Sequence, residues 1–270
     1  HSYERCGMDL LQSLTLGFIQ GTTEWLPISS TGHLRVAEHF FGLTVPLLFD
    51  VLLHFGTLLV TLIFFRKEII NVLGALWHRD FRSADGKLIV PIIVGSVPTA
   101  LIAASIGNEL DAYFSSLPLL AAGFIASGII LLASKWSKER NDQISVPVAL
   151  LIGVMQGLAI IPAVSRSGLT IAAMLLLGIK RDLAFKYSFL LSIPAVVGAL
   201  GLTLYEGRNA LALAGIGTTE ILASLAVAVA VSFLALKLLQ KTLSANKFWL
   251  FSIYCFAIGA ALAALAWLGF

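Results

Sequence analysis

Long uninterrupted apolar runs dominate this chain, in place of the alternation of a strand or the narrow stripe of a surface helix. Six of them, 45–65, 88–106, 117–134, 183–205, 219–239 and 248–268, are long enough for a helix across a hydrocarbon core, which takes about 20 residues. Two further apolar stretches are interrupted. Residues 8–41 break at 27–32, where Pro27 and Gly32 bracket three hydroxyl residues; the arm beyond, 33–41, covers only about 13 Å at ~1.5 Å per residue. Residues 146–178 break at 162–168 in the same manner and again leave a short second arm. Neither arm is long enough to span, so both stretches are expected to be re-entrant helical hairpins. Non-helical backbone at membrane depth is tolerated only inside protein or beside a water-filled cavity, so each turn should face one.

The two interrupted stretches are copies of one pattern. Gly17, Gln20, Gly21, Ser29, Gly32 and Gly42 recur as Gly153, Gln156, Gly157, Ser165, Gly168 and Gly178, at a constant offset of 136 (153 minus 17, 178 minus 42). Three spans separate them, an odd number, so the halves 8–134 and 146–268 should have inverted topology within one integral domain. The basic residues give an independent test, because Lys and Arg concentrate in cytoplasmic loops. With Arg66, Lys67, Arg79, Arg82 and Lys87 inside, three other groups also fall inside: Lys135, Lys138 and Arg140; Lys180, Arg181 and Lys186; Lys237, Lys241 and Lys247. That places 14 of the 18 basic residues on one side, and it works only if both hairpins return to the side they entered from. The outer connections then hold Glu109 with Asp111, and Glu206 with Arg208. The expected fold is an all-α polytopic membrane protein: six transmembrane helices plus two re-entrant helical hairpins in an inverted-topology repeat, their tips meeting near the midplane. A functional site at the interface of such repeats is the usual consequence.

Composition removes the alternatives. With 58% apolar and 12% charged residues, the chain is far from a soluble domain, where about 25% are charged. The net charge of +3 resides in short loops, which argues against nucleic acid as a partner. Cys6 and Cys255 form no disulfide framework and no metal-ligand spacing. The apolar run after Met8 is interrupted by Gln20, Thr22, Thr23 and Glu24, unlike the core of a signal peptide. Residues 1–7 fall outside the pattern and are read as a remnant with no part in the fold.

The two copies differ in their ionisable residues. Such groups inside a membrane are costly and mark function by default. The first break carries Glu24 and His33, the second Arg166. Gln20 and Glu24, spaced i,i+4, share a helical face. Ser29, Ser30 and Thr31 precede Gly32 at the start of a short helix, whose free N–H groups and dipole suit an anion. Ser165, Ser167 and Gly168 repeat that geometry around Arg166, whose planar fork matches phosphate oxygens. Together these are the parts for phosphoryl transfer. Each hydroxyl taken singly is more simply a cap or turn former, and Glu24 could serve only to pair Arg166. Asp50 and His54, again i,i+4, either line the same cavity or form a structural pair near the membrane surface. Small residues such as Gly123, Gly128 and the alanines of 257–266 fit close helix packing.

The run Gln20-Gly21-Thr22-Thr23-Glu24, followed by Pro27-Ile28-Ser29-Ser30-Thr31-Gly32-His33, resembles the (E/Q)xxxE and P-x-S-S-T-G-H motifs of the undecaprenyl-diphosphate phosphatase (bacitracin-resistance) family. Pro162-Ala163-Val164-Ser165-Arg166-Ser167-Gly168-Leu169-Thr170 resembles its P-G-x-S-R-S-x-x-T motif, with Ala163 in place of the usual Gly. The likeness runs over nearly the whole chain from Met8. It implies dephosphorylation of a polyprenyl diphosphate to the monophosphate carrier lipid, at the extracytoplasmic side of the plasma membrane. It also implies a site lined by Gln20, Glu24, Ser30, His33, Ser165 and Arg166. In the mechanism expected, Arg166 and backbone N–H groups of 165–168 neutralise the diphosphate. Ser30, activated by His33, attacks phosphorus, while Glu24 orients His33 or holds a divalent cation, Mg or Ca. His33 as the nucleophile is the open variant. Ser29, Thr31, Ser167, Thr170 and Asp50 are expected to help bind substrate. The lipid substrate and the membrane are the expected partners, and a homodimer is compatible. The rival is a lipid flippase or small-anion transporter with a midplane site, since fold alone does not distinguish the two.

Overall fold

The computed structural model of the chain describes residues 8–106, 116–206 and 216–269. Cys6, Glu109, Asp111 and Arg208 lie outside the described residues. Those residues form eleven α-helices: α1 Leu10–Thr23, α2 Ser30–Phe41, α3 Leu47–Phe64, α4 Arg66–Trp77, α5 Ile89–Ile106, α6 Leu117–Ala133, α7 Val146–Leu158, α8 Arg166–Leu176, α9 Arg181–Glu206, α10 Thr218–Ser244 and α11 Phe251–Trp267. Six helical segments are long and apolar enough to cross a membrane: Leu47–Phe64, Gly86–Ser105, Leu117–Trp136, Arg181–Tyr205, Thr218–Ser244 and Phe248–Trp267. They coincide with the six runs read from the sequence, and the chain is a multi-pass membrane protein. The helices flanking the two breaks are short, at 14 and 12 residues for α1 and α2 and 13 and 11 for α7 and α8.

The duplicated residues do duplicated work. Ser29 and Ser165 are the N-caps of α2 and α8, each accepting from the N–H three residues on, Gly32 at 3.3 Å and Gly168 at 3.1 Å. Gly42 and Gly178 carry the chain out of those helices at φ of 64° and 81°, in the left-handed region glycine adopts without penalty. In the outer arms, Gly17 and Gly21 let α1 lie against the α10 backbone at Ser224 and Ala228. Gly153 and Gly157 do the same for α7 against Gly95 and Ile102 of α5.

The two breaks meet each other reciprocally. A Cβ on Gly32 would sit 2.8 Å from Ala163 Cα, and one on Gly168 would sit 3.2 Å from Pro27 Cβ. Position 163 is the repeat counterpart of position 27, as 168 is of 32. Each tip is also tied to a long helix. Ser127 of α6 donates to the Ala163 carbonyl at 3.1 Å and accepts from Ser165 N–H at 3.1 Å. Cys255 of α11 lies 3.7 Å from the Pro27 carbonyl. Under the first tip the fully buried Trp25 stacks into an aromatic cluster with Phe65, Phe185 and Phe189, with centroid separations of 5.2 Å for Trp25–Phe189 and 4.8 Å for Phe185–Phe189.

One element is absent from the sequence reading. Residues 66–77, taken there as part of a basic loop, form the helix α4, in which no residue is fully buried. Its apolar residues follow helical spacing but are too few for a span, and span length was the criterion applied.

Candidate active site

Glu24 ends α1 at the first break, only 7% exposed. A buried carboxylate requires compensating donors, and four converge on it. Gln20 Nε2 donates to Oε2 at 3.1 Å from one turn earlier on the same helix. Ser30 Oγ, at the first position of α2, donates to Oε2 at 2.6 Å. His54 Nε2 of α3 lies 3.2 Å from Oε2. Arg166 Nη2, at the first position of α8, donates to Oε1 at 2.7 Å. Four separate helices and both breaks thus meet on one carboxylate.

The bonding pattern fixes protons. His54 Nδ1 lies 2.8 Å from the Asp50 carbonyl oxygen; a carbonyl only accepts, so Nδ1 carries hydrogen. The His54 Nε2 faces Glu24 Oε2 beside the Ser30 hydroxyl. Arg166 spends one donor on Glu24, and its guanidinium lies 5.7 Å from the centroid of the Trp25 ring. Of its five N–H groups the others are left for a ligand. Of the backbone N–H groups here, that of Ser165 donates to Ser127 Oγ of α6 and that of Gly168 to the capping Ser165 Oγ. Those of Arg166 and Ser167 have no acceptor among the described residues and stand at the positive end of α8.

These groups open onto a cavity of about 240 Å³. Its polar lining is Glu24, Ser29, Ser30, Thr31, His54, Ser165 and Arg166, joined by Thr99 and Gln156; apolar side chains, Ala103, Ile160, Ala195, Val196 and Ala199 among them, make up much of the rest. A larger space of about 670 Å³ pairs Arg181 with Glu139 and Lys186 with Asp85, and among the described residues no hydroxyl in it is bonded to a carboxylate.

Several residues expected at the site are placed elsewhere. His33 contacts neither Ser30 nor Glu24 by any described bond. Its Nδ1–H donates to the Ser29 carbonyl at 2.7 Å, which leaves Nε2 to accept from the Tyr254 hydroxyl at 2.7 Å. The ring packs edge-on to Phe124 and stacks on Tyr254. The imidazole on Glu24 is that of His54. The cause is local: the carbonyl one turn back on α2 captures His33 and rotates it toward α6 and α11. Asp50 likewise does not line the cavity. Its carboxylate pairs with Arg35 at 3.2 Å, in a cluster with Glu38, and only its backbone oxygen serves the site, through His54. Ser167 donates to the Trp25 carbonyl at 3.3 Å, Thr170 bonds Arg166 O and Ser188 Oγ, and Gly168 packs on Pro27. Ser167 and Gly168 join the tips, Thr170 ties α8 to α9, and none of the three lines the cavity. Gln20, fully buried, acts on Glu24 alone. Tyr254 carried no sequence signal, since it stands alone in an apolar run.

A divalent cation at Glu24 would need the carboxylate positions that Arg166, Gln20, Ser30 and His54 occupy. A cation held there would replace one of these donors. Ala163 holds φ of 65°, where a side chain costs about 1–2 kcal/mol. That is the physical reason for glycine at this position in the motif the chain resembles.

Known proteins resemble the chain over nearly its whole length. The family model described as bacitracin resistance protein BacA matches residues 13–261. An undecaprenyl-diphosphatase of Desulfosudis oleivorans is 42% identical over 97% of this chain and 99% of its own length. One from Desulforapulum autotrophicum is also 42% identical, over 93% of this chain and 96% of its own. A third, from Korarchaeum cryptofilum, is 35% identical over 96% of this chain and 100% of its own. With the family model covering the chain from before the first break to within the last helix, the chain belongs to the bacitracin resistance protein BacA family.

Proposed function

We propose that this chain is an integral membrane phosphatase that hydrolyses undecaprenyl diphosphate to undecaprenyl monophosphate and inorganic phosphate, recycling the carrier lipid of the cell envelope. One observation carries the reading: Ser30 Oγ donates to the Glu24 carboxylate at 2.6 Å while Arg166 holds the other carboxylate oxygen at 2.7 Å. A hydroxyl on a base, beside a guanidinium and free N–H groups at a helix start, is an activated nucleophile facing an anion cradle.

The diphosphate docks on the free N–H groups of Arg166 and on the α8 N-terminus. Phosphoryl transfer depends chiefly on such positioning and charge stabilisation. Ser30 Oγ bonds to the terminal phosphorus as the bridging P–O bond breaks; its proton passes to Glu24, and undecaprenyl monophosphate leaves. Water then attacks the phosphorus, the P–Oγ bond breaks, and Ser30 regains a proton from the pair formed by Glu24 and His54. Ser30 is preferred to His33 as nucleophile because both His33 nitrogens are engaged away from the cavity. The apolar side chains of the lining suit the first isoprene units of the lipid.

The proposed setting is the plasma membrane, with the site open to the extracytoplasmic side. The arrangement of basic loops supports it. The short flanking helices and the reciprocal contact of the tips support two re-entrant hairpins in an inverted repeat. The test is release of inorganic phosphate from undecaprenyl diphosphate by the purified chain in detergent, where no second compartment exists for transport. Phosphate release that disappears in Ser30→Ala is expected. No release by the intact chain rejects the phosphatase, and full release by Ser30→Ala rejects Ser30 as nucleophile.

A further inference from the structure

The helix α4 has three distinct faces. Ile69 and Val72 pack against the bundle core, while Lys67, Asn71 and Glu68 lie on the opposite, polar side. Between them runs a stripe at i, i+3, i+7: Ile70 is 65% exposed, Leu73 58% and Trp77 85%. Three large apolar side chains aligned on one face, next to a face already anchored to the bundle, form the layout of a helix lying in an interface plane.

The charges around it are net positive. Arg66 and Lys67 begin the helix, Arg79 and Arg82 follow it, and Lys87 closes the loop. Among the described residues Lys67, Arg79, Arg82 and Lys87 enter no ion pair. Of the nearby acids, Asp80 Oδ1 accepts from the backbone of Arg82 and Ser83 at the surface, Asp85 accepts from Asn71 at 2.9 Å and Lys186 at 3.3 Å, and Glu68 lies in the first turn of α4. The segment thus carries five cations against three acids, and two of those acids are held by hydrogen bonds.

We propose that α4 lies flat in the cytoplasmic leaflet and docks its anionic phospholipid interface, with Ile70, Leu73 and Trp77 entering the acyl boundary and the surrounding Arg and Lys side chains meeting lipid phosphates. Charge complementarity selects this occupant: juxtamembrane basic clusters are drawn to anionic lipid. The inference rests on the topology proposed above, which puts this loop in the cytoplasm.

The full chain is reconstituted in vesicles containing either brominated phosphatidylglycerol or brominated phosphatidylcholine, and tryptophan fluorescence is compared with that of Trp77→Phe to isolate one of the five tryptophans. Quenching of Trp77 by both lipids, stronger with phosphatidylglycerol, and protection from aqueous iodide are expected. Arg79→Ala with Arg82→Ala removes the preference for phosphatidylglycerol. Ile70→Asn with Leu73→Asn abolishes lipid quenching, and phosphate release in detergent stays unchanged because neither residue touches the cavity. Equal quenching by the two lipids, iodide quenching in place of lipid quenching, or shielding from all three quenchers by a second copy or another protein overturns the proposal. Phosphate release by the same preparation separates this failure from failure of the phosphatase reading.

Discussion

The two breaks share a backbone and divide the chemistry. Ser30 and Arg166 occupy the same repeat position, the first residue of α2 and of α8, each one residue after a capping serine. Both side chains end on Glu24. In the proposed reaction the first copy supplies a hydroxyl to be deprotonated and the second a cation to receive phosphate. One turn back on the preceding helix the copies diverge again: Gln20 supports Glu24, whereas Gln156 faces Thr99 and the Leu191 carbonyl, since Ile160 stands where a second acid would be. A duplicated scaffold thus becomes a reaction centre through substitutions at two or three equivalent positions, with the backbone left as it was.

The sharpest way to break this comparison is to remove the nucleophile, and Ser30→Ala should leave no measurable phosphate release. Glu24→Gln, which keeps shape but removes the base, should lower turnover by roughly 10²–10⁴-fold, the usual contribution of a positioned base. Arg166→Ala should lower turnover by about 10²–10³-fold. It should also destabilise the fold by about 3 kcal/mol, because Glu24 is left buried without its cation; thermal unfolding in detergent reads this, and Arg166→Lys should recover more stability than activity.

The tips offer a smaller contrast. Gly32→Ala places a methyl 2.8 Å from the Ala163 backbone and should cost about 1–3 kcal/mol. Gly168→Ala meets nothing closer than 3.1 Å and should cost less, so equal losses in melting temperature would deny the asymmetry. Least of all, Ser165→Ala and Ser29→Ala each remove a cap worth about 1 kcal/mol, and the two losses should match within error if the caps are equivalent.

Much of this was visible in the residues themselves. Apolar runs long enough to span have few other uses, so the six long helices appeared in the sequence with ends shifted by a few residues. Gly42 and Gly178 announced helix exits, and the opposed Glu24 and Arg166 announced a pair. What escaped depended on rotamers or on partners far along the chain. His33 and His54 are equally plausible bases by type, and only the carbonyl of Ser29, capturing one ring, separates them. Tyr254 meets His33 across 221 positions, with no local pattern to mark it. The α4 helix was hidden because its apolar stripe is three residues wide among charges, below the length at which hydropathy speaks for a span.

The reciprocal seating of Pro27 against Gly168 and of Ala163 against Gly32 sets a mechanical limit. A carrier that works by rocking its halves would have to unseat that joint on every cycle, and with it separate the guanidinium from the acid. Here the hinge line and the reaction centre coincide, so a working catalyst must stay shut along the seam while the lipid headgroup travels to it.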